Sequence, residues 1–507
     1  MSAGQVGLVA TLALPAIGAA VVAALPERVD RAARAVATGF AGATLVVTVL
    51  LFFGVGAGGF AHRLPAQGPP GIRPWHELDL PWVPGLDLRF HLGVDGISYP
   101  LVVLTTLLTL LCCAYTWWRA PEPGRGRTLA ALLLVIEVGI LGTFLALDLV
   151  LFFVFFEVVL LPMYALIAVW GGDRRRHAAR KFVLYTLFGS VLLLVGVFVV
   201  VSAAGTADVV ALTGGTGLSR TTQLVAFTLF ALAFAVKSPL WPLHSWLPDA
   251  HSQAPTVGSV ILAGVLLKMG TYGLIRIGVG TTPEGARWAA PVLGVLAVAA
   301  IIVGALVCLA QDELKRLIAY SSVGHMGFVV LGIATLTTTG LAAALIGNIA
   351  HGVITGLLFF VAGAIKDRTH TGELAELGGL RETAPRLAGL LGFAAIASLG
   401  LPGLAGFWGE AFAVVAALQV GGPFWTTLGV LAAFGGALTA AYFLRMLRRI
   451  SHGPAAPAVA RLTPGRYGVE QAIWAPLVVL TLAIGLLPPL ALDVADEPAK
   501  ALIEAIS

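Results

Sequence analysis

Charge is what this sequence has least of. Of its 507 residues, 31 are Lys or Arg and 26 are Asp or Glu, so 11% of the chain is charged while 58% is hydrophobic. A soluble domain carries about 25% charged residues. A chain of this length with so few cannot coat an aqueous surface, which excludes a soluble enzyme, a collagen and a disordered protein. Cysteine is nearly as scarce. Cys112, Cys113 and Cys308 lie in apolar stretches without metal-ligand spacing, so a disulfide scaffold is excluded and they read as small buried hydrophobes. The net charge of +5 is not gathered into a basic stripe with interleaved aromatics, which leaves no nucleic-acid partner. Met1 to Ala10 has no basic segment and the apolar run continues to Leu25, so this end reads as a first spanning helix and not as a secretory signal. No phosphate-binding loop, hydride-acceptor fingerprint, iron–sulfur cysteine set or nucleophile constellation is present.

What is there is apolar length. A membrane span takes about 20 predominantly apolar residues. Fourteen candidates lie near 5–25, 35–56, 99–118, 128–147, 149–170, 181–203, 222–243, 255–276, 289–309, 315–335, 338–363, 387–410, 422–447 and 470–491. The fourth and fifth are separated only around Asp148. Basic residues test this count. Arg28, Arg31 and Arg34 follow span 1, and Arg119, Arg125 and Arg127 follow span 3. Arg174, Arg175, Arg176, Arg180 and Lys181 follow span 5, and Lys315 and Arg316 follow span 9. Lys366, Arg368, Arg381 and Arg386 follow span 11, and Arg445, Arg448, Arg449, Arg461 and Arg466 surround the loop after span 13. Every rich cluster follows an odd-numbered span, with Arg63, Arg73, Arg89, Arg220 and Arg287 as exceptions elsewhere. The positive-inside rule then places odd loops in the cytoplasm and both termini outside. The second loop, 57–98, is the main extramembrane piece. It is rich in Pro and Gly, holds Trp75 and Trp82, and shows no catalytic domain. The loop from Ala204 to Thr221 reads as a connection.

Ionisable residues inside spans are costly and therefore informative. Glu137 lies within LLLVIEVGILGT of span 4 and Glu157 within LFFVFFEVVLLPMY of span 5. Lys237 lies in span 7, Lys268 in span 8, His325 in span 10, His351 in span 11 and Glu410 in span 12. Two lysines and several acids and histidines, without a redox or nucleophilic centre, point to proton or charge translocation and not to bond making. The bland alternatives are a helix-pairing acid at the glutamates and a satisfied packing residue at His325 or His351. His244 and His251 sit near a helix end, where they line an access path or are simply interfacial. Asp249 reads as a cap or loop anchor, and Trp241 and Trp246 as an interface belt.

Pro239 and Pro242 follow Lys237 and should break span 7 beside it. Pro402, Gly403 and Gly406 precede Glu410 and should do the same in span 12. Broken helices at mid-membrane expose backbone groups to an ion path. The breaks are five spans apart, an odd number, so spans 4–8 and 9–13 would run with opposite topology. The expected fold is an all-α polytopic membrane protein with fourteen transmembrane helices, two inverted five-helix repeats (4–8 and 9–13) and broken helices 7 and 12. Its expected parts are 1–118 (three N-terminal helices with the outside loop), 119–276 (first antiporter-like half), 277–449 (second half) and 450–507 (loop and helix 14).

At FFEVVLLPMYALI, KSPLWPLHSWLPDAHSQAPT, LLKMGTYGLIR, DELKRLIAYSSVGHMG, IAHGVITGLLFF and LPGLAGFWGE the chain resembles the antiporter-like membrane subunits of bacterial proton-pumping NADH:quinone oxidoreductase, respiratory complex I. The resemblance covers essentially the whole chain and is to the M-type member. The family is shared with multisubunit cation/proton antiporters and related membrane-bound hydrogenases, which are the alternative assignment. The resemblance implies a proton pathway. In it Glu157 and Lys237 form the charge pair of the first half, and Lys268 is the connecting lysine. His325 and His351 belong to the central hydrophilic axis, Glu410 ends the second half-channel, and Glu137 is an additional acid. Glutamate at 410, where the related L and N subunits carry lysine, points to M, as does the lack of a long lateral helix after span 14. The resemblance also implies that quinone reduction elsewhere drives charge rearrangement, with Lys237 exchanging between Glu157 and Lys268. NADH, FMN, iron–sulfur clusters and quinone would sit on other subunits and no cofactor or metal on this chain. Its partners would be L-like and N-like subunits, the lipid bilayer and protons, in the bacterial cytoplasmic membrane.

Overall fold

Backbone amides have no water to bond in hydrocarbon, so an apolar chain crosses a bilayer as helices that satisfy themselves. The computed structural model describes residues 1–52, 71–86, 88–462 and 468–507. Arg63, Arg466 and the 57–70 part of the second loop lie outside the described residues. The long elements are α1 (Ala3–Ala24), α2 (Asp30–Leu50), α3 (Tyr99–Trp118), α4 (Gly126–Leu145), α5 (Leu149–Val158) with α6 (Leu160–Trp170), and α7 (Arg175–Ala204). A short α8 (Val209–Leu212) precedes α9 (Arg220–Lys237), α10 (Trp246–Gln253), α11 (Thr256–Ile261) and α12 (Leu267–Gly273). Then come α13 (Pro283–Leu309), α14 (Leu314–Ala334), α15 (Thr338–Thr369), a short α16 (Leu380–Thr383), α17 (Pro385–Ser398), α18 (Ala405–Val420) and α19 (Gly422–Ser451). A short α20 (Pro457–Ala460), α21 (Gly468–Leu486) and α22 (Pro489–Ile506) complete the chain. Twelve helices among the described residues are long and apolar enough to cross a bilayer, or thirteen if the pair Val209–Gly215 and Arg220–Lys237, bent by 111°, counts as one span; α17 and α18 are shorter apolar helices.

Two features depart from the expected architecture. The second loop holds an antiparallel hairpin, β1 (His76–Val83) and β2 (Leu88–Val94), so the described residues are all-α but for this ribbon. The last apolar stretch, expected to run to 491, stops at Leu486, and α22 follows as a separate helix with Ala491, Ala495, Ala499, Leu502 and Ile506 buried.

Contacts sort the connections into two ends. At the arginine-rich end, Arg34 Nη1 donates to Thr116 O (2.6 Å) and Trp170 Nε1 to Gly124 O (2.8 Å). Tyr115 OH donates to Asp367 (3.3 Å), and Arg449 pairs with Asp312 (2.5 Å). At the hairpin end, Gln5 Nε2 donates to Glu77 O (3.1 Å), Leu147 N to His91 O (2.9 Å) and Gly71 N to Ala501 O (3.1 Å). Arg287 holds the carbonyls of Ile506 and Ser507 there.

Each end carries a small extended junction of the same design. At the hairpin end Leu149 N donates to Ala207 O (2.9 Å) and Val209 N to Leu147 O (2.8 Å). At the arginine-rich end Leu314 N donates to Gly372 O (2.8 Å) and Leu374 N to Asp312 O (2.7 Å). The positions 147, 149, 207 and 209 map onto 312, 314, 372 and 374 at one constant interval. An acid caps the helix that follows in both: Asp148 accepts from Val150 N and Leu151 N, and Glu313 from Arg316 N.

The breaks fall where the prolines and glycines put them. α9 stops at Lys237 and α10 begins at Trp246. The carbonyl of Val236 is satisfied instead by the indole of Trp246, whose Nε1 donates at 3.0 Å. Trp246 is fully buried, so it is not an interface residue as its composition had suggested. α17 and α18 are separated by 399–404, where Gly400 and Gly403 have φ of 79° and 91°, a region open to glycine. The helix from Thr256 to Val279 holds two π-helical segments, Leu262–Leu266 and Leu274–Val279, on either side of Lys268. Nothing in its sequence signals them. This helix is wholly buried and α15 nearly so, while two thirds of the most apolar stretch of α7 faces outward.

Candidate functional site

Side chains of four helices make one line of contacts through the middle of the chain, from Lys268 to Glu410. Ala263 O, within the first π-helical segment, accepts from Nζ of the fully buried Lys268 (2.6 Å). Such wide turns concentrate at functional sites. The same Nζ lies 2.6 Å from Nδ1 of His351 on α15; an ammonium at Lys268 donates to the Nδ1 lone pair, and a neutral amine can accept from Nδ1–H. The ring of His351 meets that of His325, on α14, edge-on with centroids 5.6 Å apart. His325 Nδ1 lies 3.0 Å from Glu410 Oε1 on α18, and its Nε2 lies 3.0 Å from Ser398 Oγ at the end of α17. This pattern assigns the Nδ1 proton to the carboxylate side. His325, His351, Thr355, Ser398 and Glu410 line a cavity of about 30 Å³, enough to hold a water. Asn348, one turn from His351, accepts from Thr271 Oγ1 (2.9 Å).

Glycines bring these helices within reach. A Cβ at Gly409 would lie 2.6 Å from Gly347 Cα, and one at Gly352 would lie 2.6 Å from Gly264 O. Small residues at helix crossings are how membrane helices approach closely. Here each crossing is next to an axis residue, Glu410 or His351.

The first half is arranged differently. Glu157, half-buried on α5, takes a short hydrogen bond from Ser190 Oγ of α7. Lys237, buried at the end of α9, sits 4.4 Å above the Phe156 ring, a cation–π contact, and Glu157 is the opposite charge acting on it. Lys237 and Lys268 are not joined by a side-chain contact. Their elements meet instead at Gly270, where a Cβ would lie 2.3 Å from Ser238 Oγ. Glu137 stands apart. It is fully buried on α4, and neither carboxyl oxygen has a hydrogen-bond partner among the described residues.

Two polar sites carry more than the sequence reading gave them. His251 is fully buried, stacked on Phe359 with centroids 4.5 Å apart, and neither ring nitrogen has a hydrogen-bond partner; it is not interfacial. Arg276 and Asp95 form a buried pair, with Nη2 2.6 Å from both carboxylate oxygens. The rule that singled out Lys268 would have found Arg276 in the same apolar run. Asp249 is the anchor expected, 2.7 Å from Lys181 Nζ. Among the described residues no group of three or more His, Cys, Asp or Glu side chains is placed to hold a metal ion, and the three cysteines are buried and free.

Residues 146–435 match the family model described as NADH:quinone oxidoreductase/Mrp antiporter, transmembrane. The chain belongs to this family. It is 40% identical to NADH-quinone oxidoreductase subunit M of Rhodobacter capsulatus, over 97% of this chain and 95% of that protein. It superposes on a chain of Thermus thermophilus respiratory complex I with bound NADH at a TM-score of 0.86 and 30% identity, covering 99% of this chain and 100% of that one. A chain of the Mrp complex from Dietzia sp. DQ12-45-1b gives 0.82 at 24% identity, covering 99% of each, a likeness of fold. The protein is thus an antiporter-like membrane subunit of the NADH:quinone oxidoreductase family, with buried charged residues suited to proton translocation.

Proposed function

We propose that the chain is the M-type membrane-arm subunit of a bacterial NADH:quinone oxidoreductase. In this reading Glu157, Lys237, Lys268, His351, His325 and Glu410 carry protons, with Glu137 as an additional acid. The observation that carries the proposal is the unbroken contact line from Lys268 through His351 and His325 to Glu410, formed by side chains of four different helices. An excess proton on Lys268 passes to His351 Nδ1. His351 releases one from Nε2 into the small cavity, His325 takes it up there, and its Nδ1–H hands one to Glu410. Charge rearrangement driven by quinone reduction on other subunits supplies the energy, with Lys237 exchanging its attraction to Glu157 against Lys268.

Support for fourteen spans in two inverted five-helix repeats comes from the matched junctions at opposite ends of the bundle. One constant sequence interval relating 147–149 and 207–209 to 312–314 and 372–374 is what an inverted duplication leaves behind. In this reading the parts are 1–118, 119–276, 277–449 and 450–507. The gathering of the basic loops at one end supports a cytoplasmic placement of that end, with both termini outside, by the positive-inside rule. Neighbouring antiporter-like subunits, L-like and N-like, would flank the outward faces. Glu410 favours this assignment over an antiporter subunit, which carries lysine at that position in many relatives.

The test is Glu410→Gln in the assembled complex, reconstituted in vesicles. The substitution keeps shape and hydrogen bonding but not proton exchange. NADH oxidation by the peripheral modules should persist while protons translocated per NADH fall. An unchanged ratio in a fully assembled variant refutes the pathway, and a purified complex without NADH-oxidising subunits refutes the assignment.

A further inference from the structure

At the hairpin end His91 is nearly inaccessible, yet both of its ring nitrogens face carboxylates. Nε2 is hydrogen-bonded to Glu77 Oε1 on β1 (2.7 Å), and Nδ1, which has no hydrogen-bond partner among the described residues, lies within ion-pair range of Asp208 Oδ2 (3.3 Å) in the connection between α7 and α9. A neutral imidazole has one N–H and can serve only one acceptor; the imidazolium serves both. The backbone around it is a meeting point of three segments. Leu147 N donates to His91 O, Leu149 N to Ala207 O and Val209 N to Leu147 O. The hairpin, the α4–α5 connection and the α7–α9 connection are thus hydrogen-bonded edge to edge with His91 at the seam. The corresponding junction at the arginine-rich end, 312–314 with 372–374, has no histidine at its seam.

We propose that His91, Glu77 and Asp208 form a proton-binding site whose occupancy latches the hairpin onto the first half of the bundle. Around it, β1 contributes Glu77 and Asp79, the α7–α9 connection contributes Asp208, and the α4–α5 connection contributes Asp148. Arg89 on the histidine's own strand is held by Asp79 through two bonds of 2.7 Å, and its amide reaches Asp148. α1 contributes only Gln5, through the Glu77 carbonyl. The balance is therefore anionic. Burial opposes the imidazolium, but Asp208 and Glu77 as acceptors, and the charges of Asp208 and Asp79, outweigh it and raise the His91 pKa above 6.5. A raised histidine pKa means that the latch is closed at low pH and is lost as pH rises through the raised value. This site lies outside the Glu157–Glu410 pathway and does not rest on it.

The test is hydrogen–deuterium exchange on the intact solubilised complex, with protection corrected for the intrinsic pH dependence of exchange. The amides of Leu147 and Val209 should lose protection as pH is raised from below 6.5, by about tenfold per unit of pKa elevation. His91→Gln should remove the step and leave these amides weakly protected throughout, while His91→Arg should keep them protected at high pH. If His91→Gln fails to assemble, Glu77→Gln must move the step to lower pH. A step that persists in His91→Gln, no step in the unaltered complex, or a step unmoved in Glu77→Gln overturns the proposal.

Discussion

The Asp95–Arg276 pair allows the sharpest test of how the buried core is held. Both side chains are almost fully enclosed. Arg276 also places Nε 3.3 Å from Tyr272 OH, which donates to Phe144 O on α4 (3.0 Å). Asp95 Oδ1 additionally accepts from Ile97 N and Ser98 N, both at 3.0 Å. Asp95→Asn preserves shape and an acceptor for these amides but strands a guanidinium with one tyrosine oxygen for company. Removing one partner of a buried pair costs about 3–5 kcal/mol. Arg276→Met strands a carboxylate that keeps two backbone donors, so its cost should be smaller. The double variant Asp95→Asn/Arg276→Met leaves no buried charge, and the retained amide bonds keep its residual cost near ~1 kcal/mol. The assay is the temperature at which the chain dissociates from the solubilised complex, followed on native gels. The expected order of damage is Asp95→Asn, then Arg276→Met, then the double variant. Because Arg276 and Lys268 share one helix, Asp95→Asn should also lower protons pumped per NADH before the chain dissociates. A double variant as damaged as the sum of the singles refutes the argument, since the penalty would then not be an uncompensated charge.

Gly409→Ala places a methyl group against the backbone of Gly347, where nothing can yield. Separation of α15 and α18 should cost about 1–3 kcal/mol, and thermal dissociation together with a lowered pumping ratio would show it; unchanged values of both would count against the close crossing. Trp246→Phe keeps the packing on Phe182 but leaves Val236 O without its indole donor. A loss of about 1–3 kcal/mol should appear as lower thermal stability, and stability equal to the unaltered complex would show that the break is satisfied in another way.

Most of the fourteen expected spans were legible because the bilayer imposes a length on each: twelve, or thirteen with the bent pair, meet it among the described residues, and the stretch around Pro402 is two shorter helices instead. The hairpin was not. HELDLPWV carries an internal proline and sits in a Pro- and Gly-rich stretch, and its strand is held by pairing with a second strand 5 to 18 positions away, which periodicity does not register. The last span was drawn past its end at Leu486 to 491 because Leu487 and Leu490 keep the hydropathy high across the Pro488 and Pro489 break, and α22 beyond it was not anticipated because its charged residues lower the hydropathy. The axis residues were individually visible as charges in apolar runs. Their contacts were not, because which of four helices adjoin is decided by glycine crossings and by π-helical segments that have no sequence signature. Arg276 was missed because an arginine at a span boundary ordinarily extends to the interface, whereas here Asp95 folds in to meet it.

The geometry itself separates the two kinds of buried charge. Arg276 with Asp95, Arg368 with Glu470 and Lys181 with Asp249 are each matched by a full counter-charge at 2.6 to 2.7 Å. Such a pair is locked, because neutralising either member strands the other. The residues proposed to carry protons lack that lock. Lys268 is met by a backbone carbonyl and an imidazole, and Lys237 by an aromatic face with Glu157 acting on it as an opposite charge. His325 is met by one carboxylate and one hydroxyl, groups that can themselves give or take a proton. A side chain can change charge repeatedly only if its partners tolerate both states. By that criterion Lys268, His351, His325 and Glu410 are suited to proton traffic, and the neighbouring ion pairs are the fixed frame that keeps them in register.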